Sequence, residues 1–313
     1  MPALLPAIIL TGPTGVGKSA WAMQLATTLP LEIISVDSAQ VFRGLDIGTA
    51  KPSARERALV PHHLIDIRDA AEPYSAGEFV RDARASMALI HARGRVPLLV
   101  GGTMLYLRSL LRGMAELPSA SAAVRAELDA QASTSGWPAL HARLAEVDPV
   151  AATRIHVNDA QRIQRALEVH MLTGQPISQL QAATQGAAGH YRWLQWALVP
   201  GDRAQLRSSL AARFKVMMDT GLAAEVQALH QRSDLHERLP AIRSVGYRQL
   251  WDWCESRTTL AQATELAITA TSQLAKRQLT WVRSEPGLEC LDPRAPDGVL
   301  RLAERISKFI ESS

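Results

Sequence analysis

The chain has 313 residues, of which 47% are hydrophobic and 20% charged, a balance that excludes a disordered chain and a collagen-like repeat. Its two cysteines, Cys254 and Cys290, exclude a disulfide framework and lack zinc-ligand spacing, which favours a reducing compartment. The net charge is +4 and only five of the 34 basic residues are lysine, but a GC-rich genome would produce the same arginine excess, so composition alone identifies no nucleic-acid partner.

The length predicts two domains, because domains usually have about 100 to 200 residues. No apolar run approaches the roughly 20 residues that span a bilayer, and the first ten residues lack a charged leader and a cleavage site. We therefore expect a soluble, cytoplasmic protein without a membrane partner.

Short apolar runs at 7–10, 33–36 and 96–100 predict buried strands of a parallel sheet. Between the first two strands, apolar residues at every fourth position predict a helix over 18–29. Before the third strand, Ser75 and Glu78 form a capping box that predicts a helix ending near Gly94.

From residue 118 to 189 the sequence becomes rich in Ala, Arg and Gln and predicts only helices. Strand-like sequence returns at 191–199, followed by helices and a last strand near 288–291. The predicted fold is an α/β core of residues 1–117 and 190–313, interrupted by an all-helical insertion domain of residues 118–189.

A phosphate-binding loop follows the first predicted strand and precedes the first helix. Its residues match the pattern G-x-x-x-x-G-K-[ST] without a gap: Gly12, Pro13, Thr14, Gly15, Val16, Gly17, Lys18 and Ser19. Backbone amides and the helix N-terminus would hold a di- or triphosphate, Lys18 would reach its terminal phosphates, and Ser19 would ligate Mg²⁺. The core is therefore expected to resemble the P-loop nucleotide-binding proteins.

Polar residues follow the second and third strands, where a ligand of a parallel sheet binds. The second strand ends in Asp37, whereas the third ends in Gly101, Gly102 and Thr103. A P-loop NTPase would carry an acidic magnesium ligand after such a strand. Its absence there disfavours nucleotide hydrolysis and leaves Asp37 as the prominent carboxylate, although Asp37 could also be a turn residue.

The sequence resembles the bacterial tRNA dimethylallyltransferases, also called tRNA isopentenyltransferases, over residues 8–283. The resemblance is carried by the run VDSAQVFRGLDIGTAKP at 36–52 and by blocks at 62–66, 74–75, 101–106, 158–169, 246–249 and 276–281. Two positions depart from the family pattern: Phe42 replaces a tyrosine, and Ser19 replaces the commoner threonine.

The resemblance implies transfer of a dimethylallyl group from dimethylallyl diphosphate to N6 of the adenosine adjacent, on the 3′ side, to the anticodon of tRNA. The phosphate loop would then hold the diphosphate leaving group, with Lys18, Mg²⁺ and Arg213 balancing its charge. Asp37 would be the general base, and Thr103 would orient the acceptor amine. The expected protein is a monomer.

The same resemblance implies contacts to the anticodon stem-loop, because a loop base must be splayed out before its edge can react. The implied tRNA-binding residues are Asp37, Ser38, Ala39, Gln40, Thr103, Arg125, Gln161, Arg162, Ile163, Gln164, Arg165, Ile242, Arg243, Ser244, Val245, Gly246, Tyr247, Lys276, Arg277, Gln278, Trp281 and Arg283. From spacing alone, the arginines of the insertion could equally form a solvated helix face.

Three alternatives stay open on the residues: a small-molecule P-loop kinase, an adenylate isopentenyltransferase, and an RNA-binding module that uses a nucleotide as a switch. The kinase is disfavoured by the missing acidic residue after the third strand, and the free-nucleotide enzyme by the basic insertion. The pair His62 and His63 is interpreted as structural, since adjacent side chains of an extended segment point apart.

Overall fold

The computed structural model describes residues 4–115, 117–182 and 190–312. Its centre is a six-stranded sheet in which every pair of neighbours is parallel. The strands are β1 (Leu5–Thr11), β2 (Leu31–Val36), β3 (His62–His63), β4 (Val96–Gly101), β5 (Tyr191–Leu198) and β6 (Glu289–Leu291). The predicted parallel α/β sheet is confirmed, and the short β3 is a strand that the sequence analysis treated only as an extended segment.

The strand order β3-β2-β4-β1-β5-β6 places β1 at the centre, between β4 and β5. Ile8 pairs with Leu98 and with Leu194, so the strand before the phosphate loop is covered on both sides by backbone hydrogen bonds. Because all strands run in one direction, the segments that begin at Gly12, Asp37 and Gly102 leave the sheet at the same edge.

Helices cover both faces of the sheet. Those of this part of the chain are α1 (Lys18–Thr28), α2 (Ala54–Leu59), α3 (Ala76–Ala92), α4 (Met104–Arg112), α9 (Arg203–Asp219), α10 (Leu222–His230), α11 (Tyr247–Cys254), α12 (Leu260–Ser284) and α13 (Gly298–Glu311). The predicted capping box of α3 is confirmed: the Ser75 hydroxyl accepts from the Glu78 amide, and the Glu78 carboxylate accepts from the Ser75 amide. Such a cap stabilises a helix by about 1 kcal/mol.

The main core forms where α1 and α13 pack on the sheet. Trp21 and Leu25 of α1 meet Ile8 of β1, Trp196 of β5 and Leu302 of α13, and all five are buried. Burial of large apolar side chains is the main stabilising contribution in such a layer. It holds the N-terminus of α1, and with it the phosphate loop, against the sheet.

The insertion consists of α5 (Ala122–Val147), α6 (Pro149–Arg154), α7 (Ala160–Thr173) and α8 (Ile177–Ala182). Its own core is built around Leu128, Leu144, Ile163 and Leu167. Gly136, with φ of 78°, breaks the helical backbone inside α5, so this element is two helices joined at a kink. The predicted all-helical insertion is therefore confirmed within the described residues.

The described chain divides into two compact units. One comprises the residues up to Arg108 and from His190 onward, and the other the residues from Ser109 through 182. The boundary in the structure therefore lies at Ser109, within α4. The predicted boundary at residue 118, where the sequence composition changes, comes after that helix has ended. Across the described ranges, no helix combines the length and apolar character needed to cross a bilayer.

Candidate active site

The phosphate loop has the backbone shape that its glycines permit. Gly12 has φ of 136°, and a Cβ there would lie 2.4 Å from the Leu198 carbonyl oxygen, so only glycine fits. Gly17, at the N-cap of α1, has φ of 97°. These left-handed residues turn the chain from β1 into α1 and bring the helix N-terminus to the carboxyl edge of the sheet.

Lys18 lies over this loop. Its ammonium donates to the carbonyls of Gly12 (3.0 Å) and Pro13 (2.7 Å). Burial lowers the pKa of Lys18 to about 8; Asp37 opposes this shift, and Arg213 adds to it. Below pH 8 Lys18 is therefore a cation held at the loop by neutral acceptors, which leaves its charge available to an anion.

Asp37 begins a tight turn after β2. Its Oδ1 accepts from the backbone amides of Ala39 (2.8 Å) and Gln40 (3.4 Å), which is an Asx turn and confirms the turn role that the sequence left open. No residue of the described ranges donates to Oδ2. The turn therefore fixes one carboxylate oxygen and leaves the other to accept a proton.

Thr103 follows β4 and contacts the same turn. Its Oγ1 accepts from the Ser38 amide (3.1 Å), and its own amide donates to the Val36 carbonyl (3.1 Å). The two segments approach closely because Gly101 has no side chain: a Cβ there would lie 2.1 Å from the Val36 oxygen. The predicted base and the predicted orienting residue are thus held side by side.

Two cavities meet at this edge of the sheet. The first, of about 400 Å³, is lined by the phosphate loop, including Lys18 and Ser19, and we call it the donor cavity. The second, of about 520 Å³, is lined by Ser38, Thr103 and residues of α9, α11 and α12, and we call it the acceptor cavity. Asp37, Thr14 and Arg213 line both.

Arg213 projects from α9 to the junction of the two cavities. The Arg213 Nη1 lies close to the phosphate loop: it is 3.9 Å from the position that a Cβ on Gly15 would take. Burial lowers the pKa of Arg213, and the nearby Asp37 partly opposes that shift. Arg213 has no ion-pair partner in the described part of the chain. A half-buried guanidinium that makes no ion pair beside a phosphate loop is typical of an anion site.

Several of the predicted tRNA-binding residues are exposed. Ser38 follows Asp37, Arg243 precedes α11, and Lys276, Arg277 and Arg283 lie along α12. Ser244 and Val245 are partly buried and line the acceptor cavity, as do Ala39 and Trp281. One face of Trp281 is covered by the Arg108 guanidinium, whose centre lies 4.3 Å from its ring, and Arg108 is in turn paired with Glu285.

Other predicted contact residues are committed to the protein itself. Ile242 and Tyr247 are fully buried, and Gly246 is buried as well, so the expected contact of the Tyr247 side chain with tRNA is not available. The Tyr247 hydroxyl donates to Glu225 instead (2.5 Å). Gln40 lines the donor cavity, where its carboxamide accepts from the Ser35 hydroxyl and donates to the Thr49 carbonyl.

In the helical unit, Arg125 and Arg165 converge on one carboxylate. Both donate to Glu168, which is completely buried, at 2.9 Å and 2.7 Å. Ile163 is also buried, so the expected contact through its side chain is not available. Gln164 donates to Asp129 (2.7 Å), whereas Gln161 and Arg162 are exposed. Of these two exposed side chains, Arg162 makes a surface ion pair with Asp159 (3.5 Å).

Both histidines are hydrogen-bonded within the protein, in agreement with the structural interpretation, and His62 also lines the donor cavity. The His63 Nε2 lies 2.8 Å from the buried Glu32, which also pairs with Arg93, and the His62 Nδ1 lies 2.8 Å from the Val60 carbonyl. Across the described residues there is no group of three or more His, Cys, Asp or Glu side chains that could hold a metal ion.

The sequence model of the IPP transferases matches residues 40–285 of this chain, which is well over half of its length. The chain belongs to this family. Among its relatives, this IPP transferase is 52% identical to the tRNA dimethylallyltransferase of Ralstonia nicotianae over 312 residues, covering 98% of this chain and 97% of the relative. It is 53% identical to that of Bordetella pertussis over 305 residues, covering 97% of each.

Solved structures agree with this assignment. The tRNA isopentenylpyrophosphate transferase of Bacillus halodurans superposes with a TM-score of 0.72 at 34% identity, covering 98% of this chain and 97% of that one. A eukaryotic dimethylallyltransferase, described as acting on tRNA, superposes with a TM-score of 0.83 at 27% identity, covering 98% of this chain and 80% of that one.

Sequence reasoning missed two kinds of site residue in this IPP transferase. Glu225 accepts from the backbone amides of Asp46, Ile47 and Gly48 (3.1, 2.8 and 3.3 Å), and Gly48 lines the acceptor cavity. Arg108 covers Trp281. No local signal indicates either residue, because each acts on a segment more than 170 positions away.

Proposed function

We propose that this IPP transferase moves a dimethylallyl group from dimethylallyl diphosphate to N6 of the adenosine on the 3′ side of the anticodon in tRNA. The products are N6-(dimethylallyl)adenosine and diphosphate. The observation that carries the proposal is the position of Asp37: it borders the donor cavity with the phosphate loop and the acceptor cavity with Thr103. A diphosphate and a purine amine bound in the two cavities would meet at this carboxylate.

At the donor side, the cations favour the leaving group. The bond between C1 of the dimethylallyl group and the diphosphate oxygen breaks, and the electron pair leaves with that oxygen. Lys18, Arg213 and the N-terminus of α1 lie where the resulting negative charge develops, so they stabilise the transition state more than the substrate. When the diphosphate binds, Lys18 would give up its hydrogen bonds to the Gly12 and Pro13 carbonyls and contact the anion instead.

We propose that Mg²⁺ assists at Ser19. The Ser19 side chain is exposed at the start of α1 and shares the donor cavity with Asp37. One hydroxyl and few carboxylates suit this ion, which usually keeps several waters and takes phosphate oxygens from the substrate. When bound, it would add positive charge beside the leaving group.

At the acceptor side, the adenine amine must lose a proton as its nitrogen bonds to C1. The free Oδ2 of Asp37 receives that proton, a step that typically contributes about 10²- to 10⁴-fold to the rate. The Thr103 hydroxyl accepts from the Ser38 amide and donates to the Ser38 hydroxyl (3.4 Å), so its remaining lone pair can accept from the second N–H of the same amine and fix its orientation. The charge of Lys18 and Arg213 keeps the carboxylate and the diphosphate from repelling each other.

The tRNA would be held by exposed cations in each unit. The cation of the helical unit is Arg162, beside the exposed and neutral Gln161, and those of the α/β unit are Arg243, Lys276, Arg277 and Arg283. Such contacts bind phosphates, whereas the target base would enter the acceptor cavity beside Trp281. The phosphate loop, Asp37 and Thr103 all come from one chain. We therefore propose that a monomer is sufficient and that it acts in the cytoplasm.

The test is to incubate the protein with dimethylallyl diphosphate, labelled in the prenyl group, and with unmodified tRNA, AMP or ATP. Label in tRNA, lost when the adenosine 3′ to the anticodon is replaced by guanosine, supports the proposal. Label in AMP or ATP would indicate the adenylate isopentenyltransferase, and phosphate transfer from ATP a kinase. Tight tRNA binding without either reaction would indicate an RNA-binding module.

A further inference from the structure

Gln278 of α12 makes two hydrogen bonds that join distant parts of the site. Its Oε1 accepts from the Thr14 amide of the phosphate loop at 2.8 Å. Its Nε2 donates to the Gly102 carbonyl, in the turn between β4 and α4, at 2.9 Å. One side-chain amide therefore connects the segment that would bind the donor diphosphate to the segment that carries Thr103.

The fit at Gly102 is tight. A Cβ on Gly102 would lie 2.3 Å from the Gln278 Nε2, and 3.2 Å from the Gly12 carbonyl oxygen. The carboxamide thus occupies the space that a side chain at Gly102 would need. It is a packed bridge rather than a surface contact, and its two ends cannot shift independently.

The connection continues to Asp37, the proposed general base. Thr103 directly follows Gly102, and its Oγ1 accepts from the Ser38 amide. Ser38 directly follows Asp37, whose Oδ1 holds the same turn. Gln278 therefore fixes the position of the phosphate loop relative to Asp37 and Thr103, the two residues that would act on the acceptor amine.

We propose that Gln278 is a positioning residue that sets the distance and direction between the donor carbon and the acceptor nitrogen. This inference rests on the proposed function. It differs from the prediction that Gln278 contacts tRNA, because both polar atoms of its carboxamide already have partners within the protein. The neighbouring Arg277 is exposed and Trp281 lines the acceptor cavity, so a tRNA bound along α12 lies one helical turn from the bridge.

The bridge needs one acceptor and one donor on the same group. The Thr14 amide can only donate, and the Gly102 carbonyl can only accept. Glutamine meets both requirements. An ionised glutamate would accept from Thr14 but place a negative oxygen against the Gly102 carbonyl, and methionine would fill the volume without either hydrogen bond.

The experiment compares Gln278→Met and Gln278→Glu with the wild type. Gln273→Met is the matched control, since Gln273 is exposed on the same helix and lines neither cavity. We expect kcat of both Gln278 variants to fall by about 10²-fold, because displacement of reacting groups by about 1 Å has this effect. The KM values for dimethylallyl diphosphate and tRNA should stay within about threefold. Gln273→Met should match the wild type.

Binding of inorganic pyrophosphate and of tRNA, each measured by titration, separates the possible roles. A Gln278→Met protein with normal kcat would overturn the proposal, as would a loss confined to tRNA affinity, which would mark Gln278 as a tRNA contact. If the melting temperature of Gln278→Met lies far below that of the wild type, Gln278→Glu takes its place, because glutamate keeps the size of the side chain and its acceptor. The kcat of Gln278→Glu, counted per folded molecule, then tests the proposal. A wild type that transfers no label refutes the proposed function, independently of Gln278.

Discussion

Asp37, Lys18 and Arg213 form a small group of opposite charges at the meeting point of the two cavities. The two cations have lowered pKa values because burial disfavours their charged forms, and Asp37 opposes both shifts. The carboxylate therefore helps to keep Lys18 charged, in addition to the role that we propose for it at the acceptor amine. Substitution of any one of the three changes the charge state or the environment of the other two.

For Asp37, we expect Asp37→Asn to retain pyrophosphate binding and to lose about 10²- to 10⁴-fold in kcat, the usual contribution of a general base. The amide can keep one contact with the Ala39 turn but cannot take a proton. Single-turnover transfer from labelled dimethylallyl diphosphate measures the loss. Asp219→Asn, at an exposed carboxylate of α9 that lines neither cavity, is the control, and near-normal transfer by Asp37→Asn would refute the assignment.

For Lys18, the pKa of about 8 predicts a pH dependence of anion binding. The ammonium is charged below pH 8 and is neutralised as the pH rises through 8, so affinity for pyrophosphate should fall by about tenfold between pH 7 and pH 9. Titration calorimetry of wild type and Lys18→Met measures the effect, and the difference between them cancels the titration of pyrophosphate itself. Parallel pH curves for the two proteins would contradict the prediction.

Between β2 and α2, residues 37–52 form a loop that contains no regular element longer than a turn and yet lines both cavities. Its interior is fixed by charged side chains: Lys51, almost fully buried, donates to the Phe42 carbonyl and pairs with Asp46 and Asp66. Glu225 holds its other side through three backbone amides. A loop whose backbone donors are satisfied by carboxylates keeps its shape without sheet or helix bonds.

We expect Glu225→Gln to destabilise the protein by about 1–3 kcal/mol, since its NH₂ group would face at least one of the amides of residues 46–48, whichever oxygen it replaces, and leave that donor unpaired. The pKa of Tyr247 is raised by burial and by Glu225, so its hydroxyl keeps the proton that it donates. Denaturant unfolding measures the change. Glu265→Gln, at an exposed site of α12, should alter stability by less than about 0.5 kcal/mol. Equal effects of the two substitutions would contradict the role of Glu225.

Across the whole molecule, the basic residues divide into a structural group and an exposed group. Arg125 and Arg165 compensate the buried Glu168, and Arg93 compensates the buried Glu32. Arg162, with 69% of its side chain exposed, has only a surface pair with Asp159 at 3.5 Å. Surface pairs of this kind contribute little to stability, so such residues are available for phosphates.

This division predicts opposite outcomes for two arginines on α7. Arg165→Ala should lower stability by about 1–3 kcal/mol, because the buried Glu168 loses a charged donor. Arg162→Ala should leave stability unchanged, weaken tRNA binding, and reduce the slope of log affinity against log salt by about 1. Denaturant unfolding and binding titrations at several salt concentrations measure both. A change in stability with Arg162→Ala, or an unchanged salt slope, would contradict the division.

The elements that depend on a few neighbouring residues could be predicted from the sequence. The phosphate loop needs glycines at positions of left-handed backbone, the α3 cap needs Ser75 and Glu78 three residues apart, and the strands need short apolar runs. Each of these requirements is met within a few neighbouring residues. The parallel sheet and the helical insertion follow from the order of such elements along the chain.

The sequence by itself determined the α/β core, the phosphate loop and the family. Only the tertiary structure decided which polar residues face a ligand and which compensate a buried partner. Gln278, Tyr247 and Arg165 lie in segments that resemble tRNA-binding motifs, but their polar atoms bond to Thr14, Glu225 and Glu168. The physical reason is that the partner of a buried polar group can lie anywhere along the chain, so hydrogen bonding is satisfied by the fold and not by local spacing.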